Sequence, residues 1–237
     1  MDHALNNPVW NALVSGNQQL ANGSEQVKFF DAEISPFCAL RENTKDELVE
    51  LYDLYPGERS IFLWSDKLLD IPTQWKMRHC IPGRQMVYDR TDVSPYQSEN
   101  IVPLTVADVP AMVGLTQLTK PGPFGQRTIE FGNYQGIFEN GELAAMTGRR
   151  FHCFDHIEIS AVCTHPLHLG KGYAKQLLLS QLDSILSSRH NPYLHVKEDN
   201  ERAIHIYEAL GFTTRMPVYF YVLQKTGPAD LPGLADK

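Results

Sequence analysis

The clearest alternation of apolar and polar positions in this chain runs from His156 to Thr164. One face of the predicted strand carries Ile157, Ile159, Ala161 and Cys163, and the other carries Glu158, Ser160, Val162 and Thr164. From Tyr173 onward, apolar residues recur with the helical period of about 3.6, which predicts a helix that lays one stripe on a sheet. The two elements are joined by a turn containing Gly170 and Gly172, so the pattern predicts a strand, a loop and a helix.

Similar patterns predict the rest of the second half. In chain order they are a helix at about 104–119, strands at 134–139 and 142–151, a strand at 193–197, a helix at 200–210 and a final pair of strands. Asn140-Gly141 predicts a two-residue hairpin between two of these strands, because both residues tolerate positive φ. The cluster Pro121-Gly-Pro123 ends the first helix and predicts a substrate-facing loop.

A polar stretch at 89–100 divides the chain into two predicted lobes. We expect an N-terminal α/β lobe over 1–98, a catalytic domain over 99–225 and a flexible tail over 226–237. The elements expected in the first lobe are helices at about 6–21 and 45–54 and strands at 60–64 and 85–88. This lobe is expected to cover the catalytic domain, supply substrate contacts or form a homodimer surface, and it could be a degenerate copy of the same fold.

Composition limits the function classes. The 237 residues, 43% of them hydrophobic, can bury a substantial core, and the net charge of −7 argues against nucleic-acid binding, which relies on clustered Lys and Arg. The four cysteines have no paired spacing, so we expect reduced thiols. The first residues lack a basic region followed by an apolar run, and eighteen consecutive apolar residues do not occur, so we expect a cytoplasmic location without membrane attachment.

The turn at Gly170 and Gly172 can hold a diphosphate. Glycines allow close approach of the backbone to a ligand, and the following helix start directs unpaired N–H groups toward the same place. A nucleotide-like cofactor fits this arrangement, although an ordinary strand-to-helix connection is the alternative. Neither the nucleoside-triphosphate P-loop ending nor the spaced glycines and acid of dinucleotide folds occur here.

Ordered motifs in the second half resemble the GNAT superfamily of N-acetyltransferases. They are Val162-Cys-Thr-His-Pro166, Leu169-Gly-Lys-Gly-Tyr-Ala174, Asn200, Ala203, Tyr207 and Leu210-Gly-Phe212. Earlier residues resemble the branch that includes glycine N-acyltransferase-like proteins: Lys120-Pro-Gly-Pro-Phe124, Arg127-Thr128, Gly136-Ile137, Gly141, Ala145-Met146 and Glu158-Ile-Ser160. The resemblance spans roughly residues 101–224. It implies an α/β (α+β) fold with a mixed, mostly antiparallel central sheet flanked by helices, preceded by the smaller N-terminal lobe.

The resemblance also implies acetyl-CoA as the co-substrate. Main-chain groups of Val162 and Thr164 would pair with the pantetheine arm and the acyl oxygen. The pyrophosphate would be held by backbone groups of Leu169, Gly170, Lys171, Gly172, Tyr173 and Ala174. Relatives usually have Arg or Gln where this chain has Leu169, which predicts somewhat weaker phosphate affinity. Lys171 and Lys175 could add charge, or could simply be a solvated helix start.

Three side chains are implied to act at the reacting centre. Glu158 is the expected general base, with a pKa raised by burial; the alternatives are a carboxylate paired with Arg149 or Arg150, and a water chain as base. Tyr207 is expected to protonate the departing thiolate; the alternative is a tyrosine that only packs in the core. Asn200 is expected to contact pantetheine; the alternative is that it only caps the helix.

The expected reaction is direct transfer of an acetyl group to a primary amine of a small molecule or amino acid. A peptide or protein N-terminus or lysine is the alternative acceptor, and a non-catalytic acyl-CoA sensor or an interaction scaffold is the alternative class. Cys163 is expected to face away from Glu158 and to carry no acyl group. No metal site is expected from the histidines at 152, 156, 165 and 168. Acyl length is open, and Phe124 and Met146 are candidates for lining the pocket.

Overall fold

The computed structural model describes residues 3–90 and 98–226. Within these ranges the α-helices are α1 (Pro8–Leu13), α2 (Lys45–Leu54), α3 (Val109–Thr119), α4 (Tyr173–Ser187) and α5 (Glu201–Leu210). The strands are β1 (Ala21–Gly23), β2 (Val27–Phe30), β3 (Phe37–Leu40), β4 (Ile61–Ser65), β5 (Trp75–Tyr88), β6 (Val102–Pro103), β7 (Gln135–Glu139), β8 (Glu142–Cys153), β9 (His156–Thr164), β10 (Asn191–Lys197) and β11 (Phe212–Lys225). Most of the predicted linker at 89–100, and all of the predicted tail except Thr226, lie outside the described residues.

Elements with strong local signals form where the sequence predicts them. Asn140 and Gly141 both have positive φ, of 51° and 85°, and close the hairpin between β7 and β8. Helix α4 buries Leu177, Leu178 and Leu182 completely, as its apolar stripe predicts. Helix α2 begins at a capping box in which Thr44 and Glu47 satisfy each other's backbone N–H groups.

The helix predicted at 6–21 is wrong. Helix α1 ends at Leu13, and a 3-10 turn and β1 follow. Gly16 donates its backbone N–H to the carbonyl of His152 at 3.1 Å, and a Cβ at this glycine would lie 2.3 Å from the His152 ring. The chain therefore turns at Gly16 to pass close to β8, a tertiary contact that local helical periodicity does not reveal.

The described strands form one sheet of eleven, in the order β1-β2-β3-β4-β11-β5-β10-β9-β8-β7-β6. The pairs β3–β4 and β9–β10 are parallel, and the other neighbours are antiparallel. The predicted mixed, mostly antiparallel sheet flanked by helices is confirmed. Each parallel pair is connected through a helix, α2 for the first and α4 for the second.

The two predicted lobes exchange strands. β5 of the first lobe lies between β10 and β11 of the second, and β11 lies between β4 and β5 of the first. β11 is one long strand that pairs with β5 from Phe212 to Lys225, so the predicted final strand pair is wrong. Its partners come from the other half of the chain, which the sequence of the second half alone cannot indicate.

The sheet carries different helices on its two faces. Helices α4 and α5 pack on alternate residues of the central strands, including Ile157, Ile159, Leu194 and Val196. Helices α1 and α3 pack on the opposite face, against Phe37, Trp64, Phe151 and Tyr193 in one cluster and Met146 and Cys163 in another. A ligand between β9 and β10 would therefore reach from the α4–α5 face to the α1–α3 face.

Candidate active site

The parallel strands β9 and β10 separate part-way along their length. They pair over three residues, His156–Glu158 against Asn191–Tyr193. Beyond that point β9 remains paired with β8 as far as Thr164, while β10 remains paired with β5 as far as Lys197. A cavity of about 890 Å³ opens along the gap. The backbone groups of β9 that face the gap have no strand partner and are available to a ligand.

A bulge at Ala161 shapes the β9 side of this gap. Ala161 has a φ of 53°, and the register with β8 shifts between Met146 and Gly148. Val162 consequently packs with the α4–α5 cluster, whereas Ala161 and Cys163 pack with the α3 cluster on the other face. The strict alternation expected for this strand, with Cys163 opposite Glu158, is therefore wrong beyond Ser160.

The glycine turn before α4 presents a row of unpaired amides. Gly170 and Gly172 have φ of 81° and 77°, which favour glycine, and a Cβ at either would meet nothing within 4 Å. Backbone N–H groups from 170 to 175 have no acceptor among the described residues. A second cavity of about 280 Å³ lies over this turn, and it adjoins the first at Thr164, Leu169 and Ala174. Clustered N–H groups at a helix start make an anion site.

Charged residues near the turn differ in their availability. The Lys171 ammonium lies 3.7 Å from the Glu139 carboxylate and 3.2 Å from Nδ1 of His168, so it is partly engaged at the surface. Lys175 lines the smaller cavity. Arg202, on the first turn of α5, lines both cavities and has no ion-pair partner among the described residues. Sequence reasoning missed Arg202, although its place two residues after Asn200 could have indicated it.

Asn200 and Tyr207 both line the larger cavity from α5. Asn200 caps this helix, with Oδ1 accepting from Ala203 N–H at 3.2 Å, and its Nδ2 has no partner among the described residues. The cap is thus confirmed, and the amide N–H groups remain available for a ligand. Tyr207 is 8% exposed and packs edge-on against Phe212. Burial raises the pKa of its hydroxyl to about 12, and within the described chain that hydroxyl makes no hydrogen bond.

Glu158 is completely buried and already engaged. Its two oxygens accept from Nε and Nη2 of Arg150 at 2.8 and 2.7 Å, and Oε1 also accepts from Nδ1 of His195 at 2.7 Å. Burial alone would raise the pKa of Glu158, but Arg150 and His195 outweigh it and lower the pKa to about 2. The expected raised pKa is wrong, and a carboxylate held ionised in this way is a weak proton acceptor. Arg149 instead contacts Gln181 and Ser184 of α4.

His195 is held neutral by the same network. Its Nε2 lies 3.0 Å from the indole N–H of Trp64 and 3.2 Å from the amide nitrogen of Gln85. The Gln85 oxygen accepts from Arg215, which fixes the Gln85 amide as a donor. Nε2 must therefore accept and Nδ1 must carry the proton toward Glu158. Burial lowers the pKa of His195, consistent with a neutral ring.

The part of the cavity on the α1–α3 face is bounded mostly by residues far apart in sequence. We call it the far chamber and define it by Phe37, Phe62, Ile81, Arg150, His195 and Phe220, with the loop Thr119–Pro123 at its side. The predicted substrate-facing loop thus borders the cavity. Phe124 and Met146 do not: both belong to the α3 cluster, and Met146 is completely buried there.

The chemistry of the remaining candidates is simple. Burial raises the pKa of Cys163 to about 11, so its thiol stays protonated at neutral pH. All four cysteines are free thiols. Within residues 3–90 and 98–226, no cluster of three or more His, Cys, Asp or Glu side chains could hold a metal ion. None of the helices in the described ranges is both long and apolar enough to cross a bilayer.

Comparison with known proteins agrees with this arrangement. A family model described as FR47-like protein matches residues 134–221, which include β7 to β10, α4, α5 and most of β11. The structure of an acetyltransferase from the GNAT family of Novosphingobium aromaticivorans superposes with a TM-score of 0.89, at 31% identity, over 95% of this chain and 100% of that chain. This chain belongs to the GNAT family.

Two curated relatives of this GNAT chain match shorter segments. Spermidine N(1)-acetyltransferase of Vibrio cholerae is 43% identical over 49 residues, or 20% of this chain and 28% of that protein. L-amino acid N-acyltransferase MnaT of Escherichia coli is 30% identical over 86 residues, or 33% of this chain and 50% of that protein. The alignments thus span half or less of each curated relative's length. The two names describe different acceptors, a polyamine in one case and an amino acid, which carries a carboxylate, in the other.

Proposed function

We propose that this GNAT chain transfers an acetyl group from acetyl-CoA directly to the primary amine of a small molecule or amino acid. One observation carries the proposal: unpaired amides at the start of α4 adjoin a cavity that runs through the gap between β9 and β10, past Tyr207, to the far chamber on the other face of the sheet. An acyl donor and an acceptor can therefore approach each other from opposite faces.

The residues present fit coenzyme A. The amides from Gly170 to Ala174 suit the pyrophosphate, with Arg202 and Lys175 supplying positive charge nearby. The unpaired edge of β9 around Val162 and Thr164, together with Nδ2 of Asn200, suits the amide groups of pantetheine. Leu169 lies beside the turn and contributes main-chain contacts in place of the usual long polar side chain.

The transfer needs a neutral amine and a protonated leaving group. The amine nitrogen attacks the thioester carbonyl carbon, the carbon–sulfur bond breaks, and the products are an amide and free thiol. The amine proton passes to water in the far chamber, and Tyr207 gives a proton to the departing sulfur and regains one from solvent. Cys163 takes no part, because its thiol is neutral and a covalent acyl step would need a thiolate.

We assign Glu158 a positioning role in place of the predicted general base. Its carboxylate fixes Arg150 and the tautomer of His195, which both border the far chamber. With both oxygens occupied and the pKa lowered to about 2, it has little tendency to take a proton near neutral pH. The alternative base, a water chain, is the one this arrangement favours.

The first lobe, 1–98, is proposed to be a degenerate copy of the second. In each half an antiparallel pair is followed by a helix that crosses to a parallel strand: β2-β3-α2-β4 in one and β8-β9-α4-β10 in the other. The lobe contributes Phe37, Phe62 and Ile81 to the far chamber, which supports a role in acceptor binding. Membership of the glycine N-acyltransferase-like branch, a cytoplasmic location and a homodimer remain predictions from the sequence.

The decisive experiment follows free thiol release from acetyl-CoA by purified protein with a panel of amines, together with thermal stabilisation by coenzyme A. A transferase shows both. An acyl-CoA sensor would show stabilisation with no thiol release across the panel, and an interaction scaffold would show neither.

A matched pair of glycine variants locates the coenzyme A site. Gly172→Ala and Gly141→Ala each place a methyl group at positive φ with open space around it, so each should cost about 1 kcal/mol of unfolding free energy. Only Gly172 lies at the cavity turn. We expect the methyl group of Gly172→Ala to occupy the space over the turn and hold the pyrophosphate away from the amides, weakening coenzyme A binding about 10-fold, the effect of about one charge-assisted hydrogen bond, with no change for Gly141→Ala. Equal affinity in both variants would place the cofactor elsewhere.

A further inference from the structure

The larger cavity, of which the far chamber is a part, is bordered by more cationic than anionic side chains, although the chain as a whole has a net charge of −7. The charged residues that border the whole cavity are Lys120, Arg150, Lys197, Asp199 and Arg202. Arg202 also borders the smaller cavity and is accounted for by the phosphates of coenzyme A. Lys120 and Lys197 form no ion pair within the described chain. With Arg150 balanced by Glu158, Lys120 and Lys197 against Asp199 leave one positive charge that the cofactor does not explain, and this favours an acceptor with a negative charge.

Arg150 has donors left for such an acceptor. Its Nε and Nη2 bind Glu158, and its Nη1 makes no hydrogen bond to any described residue. Among the described side chains, the Tyr55 hydroxyl is the one polar group that is both fully buried and without a hydrogen-bond partner. Nη1 of Arg150 has no such partner either, so it must be accessible, and we infer that it opens to the cavity that Arg150 borders. Two N–H groups of a fixed guanidinium are well suited to a carboxylate.

The guanidinium is also rigidly placed. Its central carbon lies 4.8 Å from the ring centre of Phe37 and 4.5 Å from that of Phe151, and Glu158 holds it from a third direction. Burial would lower the pKa of Arg150, but Glu158 raises it, so the group stays charged. A charge fixed in this way before the ligand arrives loses little freedom on binding.

Beside Arg150 the wall of the far chamber is apolar. Phe37 contacts Phe62 with ring centres 5.5 Å apart and Phe220 with ring centres 6.4 Å apart, and Ile81 completes the surface. These residues come from β3, β4, β11 and β5, so both halves of the chain build the wall. An apolar side chain of the acceptor would be desolvated here, within reach of a carboxylate on Arg150.

We propose that the acceptor is a free amino acid with an apolar or aromatic side chain, whose carboxylate binds Arg150 and whose side chain packs on Phe37, Phe62 and Phe220. This inference rests on the proposed function and names its substrate class. The cations that receive the carboxylate also disfavour the ammonium form of the neighbouring amine, which helps to supply the neutral nucleophile without a protein base. A polyamine acceptor would meet the same cations unfavourably.

The test compares acceptors at saturating acetyl-CoA by thiol release. The panel is L-phenylalanine, L-leucine, their primary amides, a tripeptide amide with N-terminal phenylalanine, and spermidine. We expect kcat/KM for each free amino acid to exceed that for its amide at least 10-fold, since a charged hydrogen-bonding group contributes about 1.5–3 kcal/mol. Faster turnover of the amides, the tripeptide or spermidine would overturn the inference while leaving the acetyltransferase intact. Failure of thiol release with every amine would overturn both.

Paired variants give a second readout. Lys120→Asn tests the chamber charge, since Asn tolerates the positive φ of 50° at this position, and the exposed loop residue Lys67→Asn is its control. Phe62→Ala tests the apolar wall, with Phe138→Ala, which lies outside the cavity lining, as its control. We expect KM for L-phenylalanine to rise several-fold in each test variant and to stay unchanged in each control, with coenzyme A affinity constant throughout. Unchanged KM in both test variants would refute the proposed binding mode.

For Arg150 itself, the double variant Arg150→Gln with Glu158→Gln keeps a neutral hydrogen-bonding pair in place of the ion pair. Thermal stabilisation by coenzyme A checks that the fold and the cofactor site are intact. We expect the preference for free amino acids over their amides to fall to near unity. A preserved preference would show that the carboxylate is bound by another group.

Discussion

Replacing Glu158 by Gln separates a structural ion pair from a catalytic base. The side chain is completely buried, and the folded protein lowers its pKa from 4.5 to about 2. That difference corresponds to about 3 kcal/mol of folding free energy when the group is ionised. Leaving one partner of a buried ion pair uncompensated costs about 3–5 kcal/mol, so the two magnitudes agree. We expect Glu158→Gln to lose about 3 kcal/mol of unfolding free energy at pH 7.

The stabilisation that Glu158 provides should decrease as the pH falls. Because the folded pKa is lowered, the stabilisation from Glu158 is complete above about pH 4.5 and is lost as pH falls toward about 2. The difference between wild type and Glu158→Gln should therefore shrink over this interval. Urea unfolding followed by circular dichroism at pH 7, 5, 4 and 3 measures it. The control is Glu142→Gln, an exposed hairpin carboxylate with no ion pair among the described residues, which should change stability by less than about 0.5 kcal/mol.

Two outcomes distinguish a structural Glu158 from a catalytic one. The double variant with Arg150→Gln should be more stable than Glu158→Gln alone, because it removes the uncompensated guanidinium. If instead Glu158→Gln keeps wild-type stability at pH 7 while kcat falls 100-fold or more, Glu158 acts chemically and its pairing with Arg150 is incidental. In that case the pH–rate profile of the wild type would show an acidic limb, and the variant would lose it.

Two further predictions concern α5. Tyr207→Phe should reduce kcat about 100-fold, a typical contribution of general acid catalysis. Coenzyme A affinity should change little, because the Tyr207 hydroxyl has no hydrogen-bond partner in the described chain to lose. Stopped-flow thiol release measures kcat and calorimetry measures the affinity; an unchanged kcat would leave the tyrosine with a packing role only. Asn200→Asp keeps the N-cap acceptor, so the free energy of unfolding should change by less than about 0.5 kcal/mol. The substitution removes the Nδ2 donors and should weaken coenzyme A binding several-fold. Unchanged affinity would leave Asn200 with the cap role only.

What the sequence determined lies in features that neighbouring residues decide. The glycine turn before α4, the Asn140-Gly141 hairpin and the Asn200 cap each depend on backbone preferences within a few residues, so their patterns predict them directly. The periodic stripe of α4 and the order of elements after residue 104 follow in the same way. These local features predicted the turn proposed for the pyrophosphate, whereas the role of Tyr207 was implied by the resemblance to the GNAT superfamily.

Only the tertiary structure decided which distant residues contact Glu158 and which residues line the far chamber. Alternation places Glu158 on a buried face, but it does not choose Arg150 over Arg149 or bring in His195, which lies 37 residues away. After the bulge at Ala161, the side chains of β9 lie on the faces opposite to those that strict alternation predicts, because a shift of one residue exchanges the two faces of a strand. The far chamber needs β3, β4, β5 and β11 side by side, an exchange between halves of the chain that depends on long-range strand pairing. Local preferences act within a few residues, whereas a buried charge or a chamber wall is set by whichever distant groups the fold brings into contact.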